Sequence, residues 1–238
     1  MEKKITGAPS SALANKLLSS LAHDHFRMLT PHMTSEFLAQ GAVLTEVGDE
    51  VDFVYFPHNG MLSLLSVLKD GRSVEIAMVG REGVVGAMAG LGLYRSGVRV
   101  VVQLALEVTK IPASRFRTAV MNADAIRNLC TDYNEVLLSQ ARVTAACNAL
   151  HVIEARFCRW LLQTADRAGG DTINLTQEFL AEMLGVRRTS VTEVANKVQA
   201  AGVIQYSRGV INILDRQALE KMSCECYATL RDHSMAVR

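Results

Sequence analysis

Five cysteines and six histidines are the side chains of this 238-residue chain best suited to metal or redox chemistry. The cysteines, Cys130, Cys147, Cys158, Cys224 and Cys226, are odd in number and scattered, a usage that fits reduced thiols and predicts no disulfide. Cys224 and Cys226 stand one residue apart, too short and isolated a spacing for a zinc motif, and read as free thiols at a helix end. A redox role for that pair would appear as iodoacetamide accessibility that changes with peroxide. His23 and His25 read as solvated, and His58 and His151 as structural, so no metal site is expected. An enzyme of cupin type would need clustered histidine and carboxylate ligands on strands, whereas residues 41–111 hold a single histidine, His58. Arg187, Arg188 and Arg208 can grip phosphate, which argues against a pure protein-interaction module.

The elements that position these residues follow from pattern. Hydrophobic residues make up 49 % of the chain, enough for two small cores, and 25 basic against 24 acidic residues leave a charge of +1. A nucleic-acid footprint would have to be local rather than a uniform basic coat. No apolar run reaches membrane-spanning length, since the longest, Gly83–Leu93, breaks at Tyr94-Arg95. The first residues, MEKKITGAPSSALANK, lack the apolar core of a secretory signal, so a cytoplasmic protein with no membrane partner is expected. Residues 10–40 predict an amphipathic helical lead-in carrying Leu13, Leu17, Leu18, Leu21, Phe26 and Leu29, interrupted by Pro31. Residues 41–111 switch to short β-branched runs, among them Met61–Leu68 and Ser73–Val79, which the dipeptide Asp70-Gly71 predicts to pair as a hairpin. Such a series suits a sandwich, a barrel or a β-roll.

Beyond Pro112, apolar residues recur at alternating steps of three and four: Ile126, Leu129, Tyr133, Val136, Gln140, Val143, Cys147 and Leu150, with Gln140 the polar exception. The row reads as a seam between two copies of the chain, where paired Gln140 side chains could hydrogen-bond each other, in preference to the alternative of an ordinary core helix. A helix over about 153–168 follows, ended by Gly169-Gly170. Residues 177–196, QEFLAEMLGVRRTSVTEVAN, then read as two helices around a turn at Gly185. Leu180, Ala181 and Leu184 face inward on the first helix, and Val191 and Val194 on the second. Thr176 is the expected N-cap of the first helix, and Ser190 with Glu193 has the form of a capping box for the second. Val203–Tyr206, Ser207-Arg208-Gly209 and Val210–Leu214 give strand, turn and strand: a wing.

In this order the parts resemble the Crp/Fnr family of bacterial regulators, over about residues 25–222 and most specifically over Leu175–Asp215. The resemblance implies an α+β chain with an N-terminal β-roll (a double-stranded jelly roll), a long central dimerisation helix and a C-terminal winged helix-turn-helix. The expected boundaries are residues 1–120 for lead-in and β-roll, 121–151 for the helix, 152–222 for the DNA-binding domain and 223–238 for a tail. It also implies a transcriptional regulator, not an enzyme, that binds duplex DNA at a two-fold symmetric operator, pairs with itself and engages RNA polymerase. The second helix of the motif would enter the major groove, with Arg188 as the base-reading arginine. Arg187, Thr176, Thr189, Ser190, Thr192, Glu193, Asn196, Lys197 and Arg208 are the further candidate DNA contacts. Thr189 and Glu193 depart from the best-known recognition helix, so its operator is not carried over.

For the β-roll the resemblance implies a cyclic-nucleotide cassette over Val79–Arg99, of which Gly86, Arg95, Ser96 and Arg99 are the candidate effector residues. Ala87 follows Gly86 where a carboxylate would meet ribose, and Ala141-Arg142 replaces the adenine-reading pair, so cyclic AMP is not expected as the ligand. An iron–sulfur cluster is not expected either, because all five cysteines lie after the β region, and no cofactor is expected. Three forms of control stay open: an unidentified effector at the β-roll, ligand-independent action, and a cyclic-nucleotide response despite the altered cassette.

Overall fold

The structure, a computed structural model, describes residues 11–235; the expected lack of a signal core in the first ten residues and the last three residues of the tail lie outside them. The chain begins α1 (Lys16–Ser20), α2 (His23–Leu29), β1 (Thr34–Leu38), β2 (Val43–Thr45), β3 (Phe53–Pro57), β4 (Met61–Val67), β5 (Ser73–Val79), β6 (Arg99–Leu104), β7 (Leu106–Pro112). It continues α3 (Ala113–Asn122), α4 (Asp124–Leu150), α5 (Ile153–Ala168), β8 (Thr172–Asn174), α6 (Gln177–Leu184), α7 (Arg188–Ala200), β9 (Ile204–Ser207), β10 (Val210–Ile213), α8 (Arg216–Met222), α9 (Cys226–Met235). This is the expected α+β order of β cassette, long helix and winged helix-turn-helix. No described helix is long and apolar enough to cross a membrane. The described residues divide into two compact units, 11–62 with 79–135, and 63–78 with 136–235.

In the first unit the lead-in is two short helices rather than one reaching residue 40. Leu21 turns extended after α1, and Pro31, which has no N–H to donate, lies in a 3-10 turn that ends α2 before β1 begins at Thr34. Asn15 pins this lead-in. Its buried side chain accepts from the Leu17 and Leu18 amides at 3.0 and 3.1 Å, and donates to the carbonyls of Pro57 and Gly83 at 2.9 and 2.8 Å. One cap thus serves a helix start, the end of β3 and the turn at Gly83. β7 is the middle strand of an antiparallel sheet of order β1-β7-β3, and β2 pairs antiparallel with β6.

The second unit takes the hairpin with it. The chain turns between β4 and β5 through Lys69, Asp70 and Gly71, three residues rather than two, with Gly71 at φ +86° and the Leu68 amide donating to the Arg72 carbonyl at 2.8 Å. Although residues 63–78 fall inside the expected β-roll boundaries, they pack with the DNA-binding elements. Glu75 is buried, accepting from the Ser63 hydroxyl at 2.5 Å and the Trp160 indole N–H of α5 at 2.9 Å.

The helix expected over 121–151 is α4, but its heptad row faces its own chain. Ile126, Leu129, Tyr133, Val136, Gln140 and Cys147 are buried, Val143 is half-buried and Leu150 is 79 % exposed. Gln140 bonds the Met78 amide at 3.1 Å and the Met78 carbonyl at 3.2 Å, not a second Gln140. A Cβ on Gly83 would fall 1.8 Å from the Tyr133 hydroxyl oxygen. The reading of this row as a two-chain seam is therefore corrected for the six buried residues. Steps of three and four mark any helix that lies on a core, whichever chain supplies it.

Candidate nucleic-acid interface

The helix-turn-helix is built as its residue types dictate. The Thr176 hydroxyl caps α6 by accepting from the Phe179 amide at 3.2 Å. Gly185 ends α6 at φ +63°, where its missing side chain also matters, since a Cβ would meet Val74 of β5 at 3.0 Å. Leu180, Ala181, Leu184, Val191 and Val194 are buried between α6 and α7 as expected. The capping box is not formed. α7 begins at Arg188 with Arg187 at its N-cap, and the Ser190 amide donates to the Arg187 carbonyl, so Ser190 already lies within the first turn. The first turn of α7 thus opens without a side-chain cap, and Arg187 and Arg188 stand at that positive end of the helix.

The wing is an antiparallel sheet of order β8-β10-β9, with Val210 opposite Ser207 and Ile211 opposite Tyr206. Its tip is a two-residue turn in which Arg208 and Gly209 take φ +50° and +78°. Positive φ at Arg208 is a strained choice for a residue with a side chain, and it sets an exposed guanidinium at the tip. Arg188 and Arg208 line one concavity of about 350 Å³, together with Thr176, Gln177, Tyr206 and Ser207. Burial pushes the Tyr206 phenol up from its usual value while the Arg188 charge beside it pulls the other way.

The other candidates divide. Arg187, Thr189, Glu193 and Asn196 are exposed on α7, and Ser190 is half-buried. The Thr192 hydroxyl lies 2.8 Å from Gln177 Oε1 and 3.1 Å from the Arg188 carbonyl, so it braces α7 against α6. Lys197 is ion-paired with Glu154. Gln177 and Tyr206 were missed by sequence reasoning. Gln177 follows the N-cap directly, and Tyr206 lies two residues before the wing-tip Arg208, positions from which both could have been placed beside Arg188.

The four effector candidates have internal partners. Gly86, at φ +83°, would bring a Cβ to 2.7 Å from the Phe53 carbonyl, so close backbone packing accounts for it. Arg95 donates to the Gly48 carbonyl at 2.8 Å, Ser96 to the Val98 carbonyl at 2.7 Å, and Arg99 to Glu46 at 2.8 Å. A cavity of about 460 Å³ in the first unit is lined by Glu50, Asp52, Tyr94, Ser114 and Arg117 among others, and none of the four lines it.

A β cassette followed by a long helix and a winged helix-turn-helix with paired arginines defines a class, the DNA-binding transcriptional regulators with a cyclic-nucleotide-type domain. Comparison with known proteins narrows it. Residues 155–222 match the Crp-like helix-turn-helix domain and residues 35–123 the cyclic nucleotide-binding domain. The fold is similar to that of a protein described as a Crp/Fnr-family transcriptional regulator from Eubacterium rectale, at 17 % identity and a TM-score of 0.70, covering 88 % of this chain and 98 % of that one. It is also similar to FixK2 from Bradyrhizobium japonicum, at 16 % identity and a TM-score of 0.68, covering 81 % and 98 %. The c-di-GMP responsive global regulator CLP of Xanthomonas campestris aligns at 16 % identity and a TM-score of 0.67, covering 81 % and 99 %. No curated protein matches the chain. The chain belongs to the Crp/Fnr family of transcriptional regulators and carries that family's DNA-binding helix-turn-helix.

Proposed function

We propose that this regulator acts in the cytoplasm as a homodimer that reads a two-fold symmetric operator, with Arg188 donating to guanine O6 and N7 in the major groove and Arg208 meeting the backbone beside it. The observation that carries this reading is the placement of both guanidinium groups around one concavity, one at the uncapped start of α7 and the other at the wing tip. A recognition helix contacts base edges from its N-terminal residues, and a planar guanidinium matches guanine in a way lysine does not.

The dimer face we assign to the outer row of α4 and its end: Thr131, Glu135, Leu138, Arg142, Ala145, Ala149 and Val152, all exposed and spaced by alternating fours and threes. Small residues at 145 and 149 allow close helix approach, and Val152 is 73 % exposed. Contact with RNA polymerase follows from the family reading.

Cyclic AMP is not the effector we propose. Arg95 and Arg99 have internal partners, and Ala87 cannot accept from a ribose hydroxyl. Calorimetry with cyclic AMP is expected to show no binding. The central test is selection from a randomised duplex pool, wild type against Arg188→Ala at one salt concentration. An enriched palindrome that loses a guanine preference in the variant, at a cost of about 1–3 kcal/mol for that base, supports the assignment. A palindrome unchanged by the substitution overturns it.

A further inference from the structure

We propose that Cys147, His151, Cys224 and Cys226 hold one zinc-class divalent ion in a tetrahedral site that ties the α4–α5 corner to the α8–α9 turn. The sequence hides this grouping. Cys147 and His151 stand one helical turn apart at the end of α4, while Cys224 and Cys226 lie more than seventy residues later, yet one donor atom from each of the four falls within 4.8 Å of every other. Cys147 Sγ is 3.5 Å from Cys224 Sγ, and Cys226 Sγ is 3.6 Å from His151 Nδ1. Zinc bonds of about 2.3 Å to sulfur and about 2.0–2.1 Å to nitrogen, at tetrahedral angles, put two sulfurs about 3.8 Å apart and a sulfur about 3.6 Å from a nitrogen. Two of the six donor pairs already stand near the edge lengths of such a tetrahedron, and the other four lie within 4.8 Å.

Three further observations point the same way. The far ring nitrogen of His151, Nε2, is 3.2 Å from a Glu225 carboxylate oxygen, the partner that fixes a metal-bound imidazole with its other nitrogen free to ligate. The cysteines are buried in a small cluster with Val143 and Ala155 packed against it, which shields the sulfur side of the site from solvent while His151 is half-buried at its edge. Arg156 and Arg159, both buried beside the cluster, hydrogen-bond to neutral oxygens, the Leu184 carbonyl and Gln163 Oε1. Three thiolates around a divalent ion carry a net charge of −1, opposite in sign to those two guanidinium groups.

The donor chemistry selects the ion. Three sulfurs and an imidazole suit zinc over the oxygen-seeking magnesium and calcium, and four donors converging on one point suit a single ion over a multi-iron cluster, whose ligands surround several metals. A disulfide would take two of the thiols and leave the third, with His151 and Glu225, without a purpose. Formation of the site releases thiol protons to solvent and involves no electron transfer.

The test uses the full chain, purified reduced and without added chelator. Elemental analysis is expected to find one zinc per chain, and metal-free protein titrated with Co2+ alone is expected to show tetrahedral d–d absorption with a sulfur-to-cobalt charge-transfer band. Zinc should also protect three of the five thiols from iodoacetamide. His151→Ala and Cys226→Ala abolish stoichiometric retention, whereas Cys130→Ser and Cys158→Ser, at buried thiols outside the cluster, retain it. Glu225→Ala weakens zinc binding by about 10- to 100-fold with the four ligands intact. Because a ligand variant can misfold, the wild-type cobalt spectrum and thiol protection decide. Metal-free protein that binds neither Zn2+ nor Co2+ overturns the site, as does iron with inorganic sulfide in place of zinc, or a Cys147–Cys224 disulfide in protein kept reduced. All these readouts are independent of DNA binding, so their failure would leave the operator-reading proposal standing.

Discussion

Two residues show how local physics shapes the working surface. Arg208 holds a backbone conformation that glycine adopts freely, and it does so at the wing tip, where its charge faces outward. Arg208→Gly is expected to stabilise the fold by about 1 kcal/mol in denaturant titrations by removing that strain. Affinity for DNA should fall evenly across sequences, with the dependence of log K on log salt shallower by about one. A variant with an unchanged salt slope would show that Arg208 meets no phosphate. Glu75 is the buried counterpart. Burial pushes its carboxyl up from 4.5 to about 7, against the bonds from Ser63 and Trp160 and the charge of Arg159. A carboxyl raised on folding contributes stability that is complete below about pH 4.5 and is lost as pH climbs through about 7. Glu75→Gln should therefore remove from the pH–stability curve a decline of about 3 kcal/mol between those limits, measured by denaturation at several pH values. A wild-type curve that rises over this interval through Glu75 would contradict the assignment.

At the scale of elements, α4 carries two heptad rows that the sequence cannot rank. The inner row is the more apolar, and its residues pack on their own chain. The outer row includes Glu135 and Arg142 and is the one left exposed. The two rows make opposite expectations. Ala145→Glu, on the outer row, is expected to halve the mass seen by analytical ultracentrifugation while leaving the protomer's secondary structure intact. Gln140→Leu, on the inner row, is expected to keep the dimer but to cost about 1–3 kcal/mol of stability, because it leaves the Met78 amide and carbonyl without partners. The reverse pattern would return the seam to the inner row. Hydrophobic spacing announces that a helix face is covered and is silent on what covers it. The helix-turn-helix was legible for the opposite reason. Ala181, Gly185, Val191 and Val194 interact within twenty residues, so local spacing fixes their geometry. Cys147 and Cys224 meet only because α5, the wing and α8 fold the chain back between them, and no pattern within a short window carries that information.

At the scale of the whole molecule, the boundary drawn by sequence texture and the boundary drawn by packing disagree over residues 63–78. These residues belong to the β region by composition, yet they complete the unit that carries the recognition motif. The Ser73 hydroxyl donates to Glu182 of α6 at 2.5 Å, Val74 backs Gly185 at the motif's turn, and Glu75 holds the Trp160 indole of α5. A change in this hairpin therefore acts on the helix-turn-helix through direct contact. Trp160 is the chain's single tryptophan and is 1 % exposed, so its emission reports whether the hairpin is in place. A fragment of residues 136–238 keeps Cys147 and His151 but lacks the hairpin. It is expected to emit to the red of the full chain and to lose the sharp unfolding transition, even when supplied with zinc. A fragment that emits as far to the blue as the full chain would show that the DNA-binding unit buries its tryptophan unaided, and the hairpin would then be only a neighbour. If the emission shifts as expected, residues 63–78 are a structural part of the unit that carries Arg188, although the chain enters and leaves them from the β cassette.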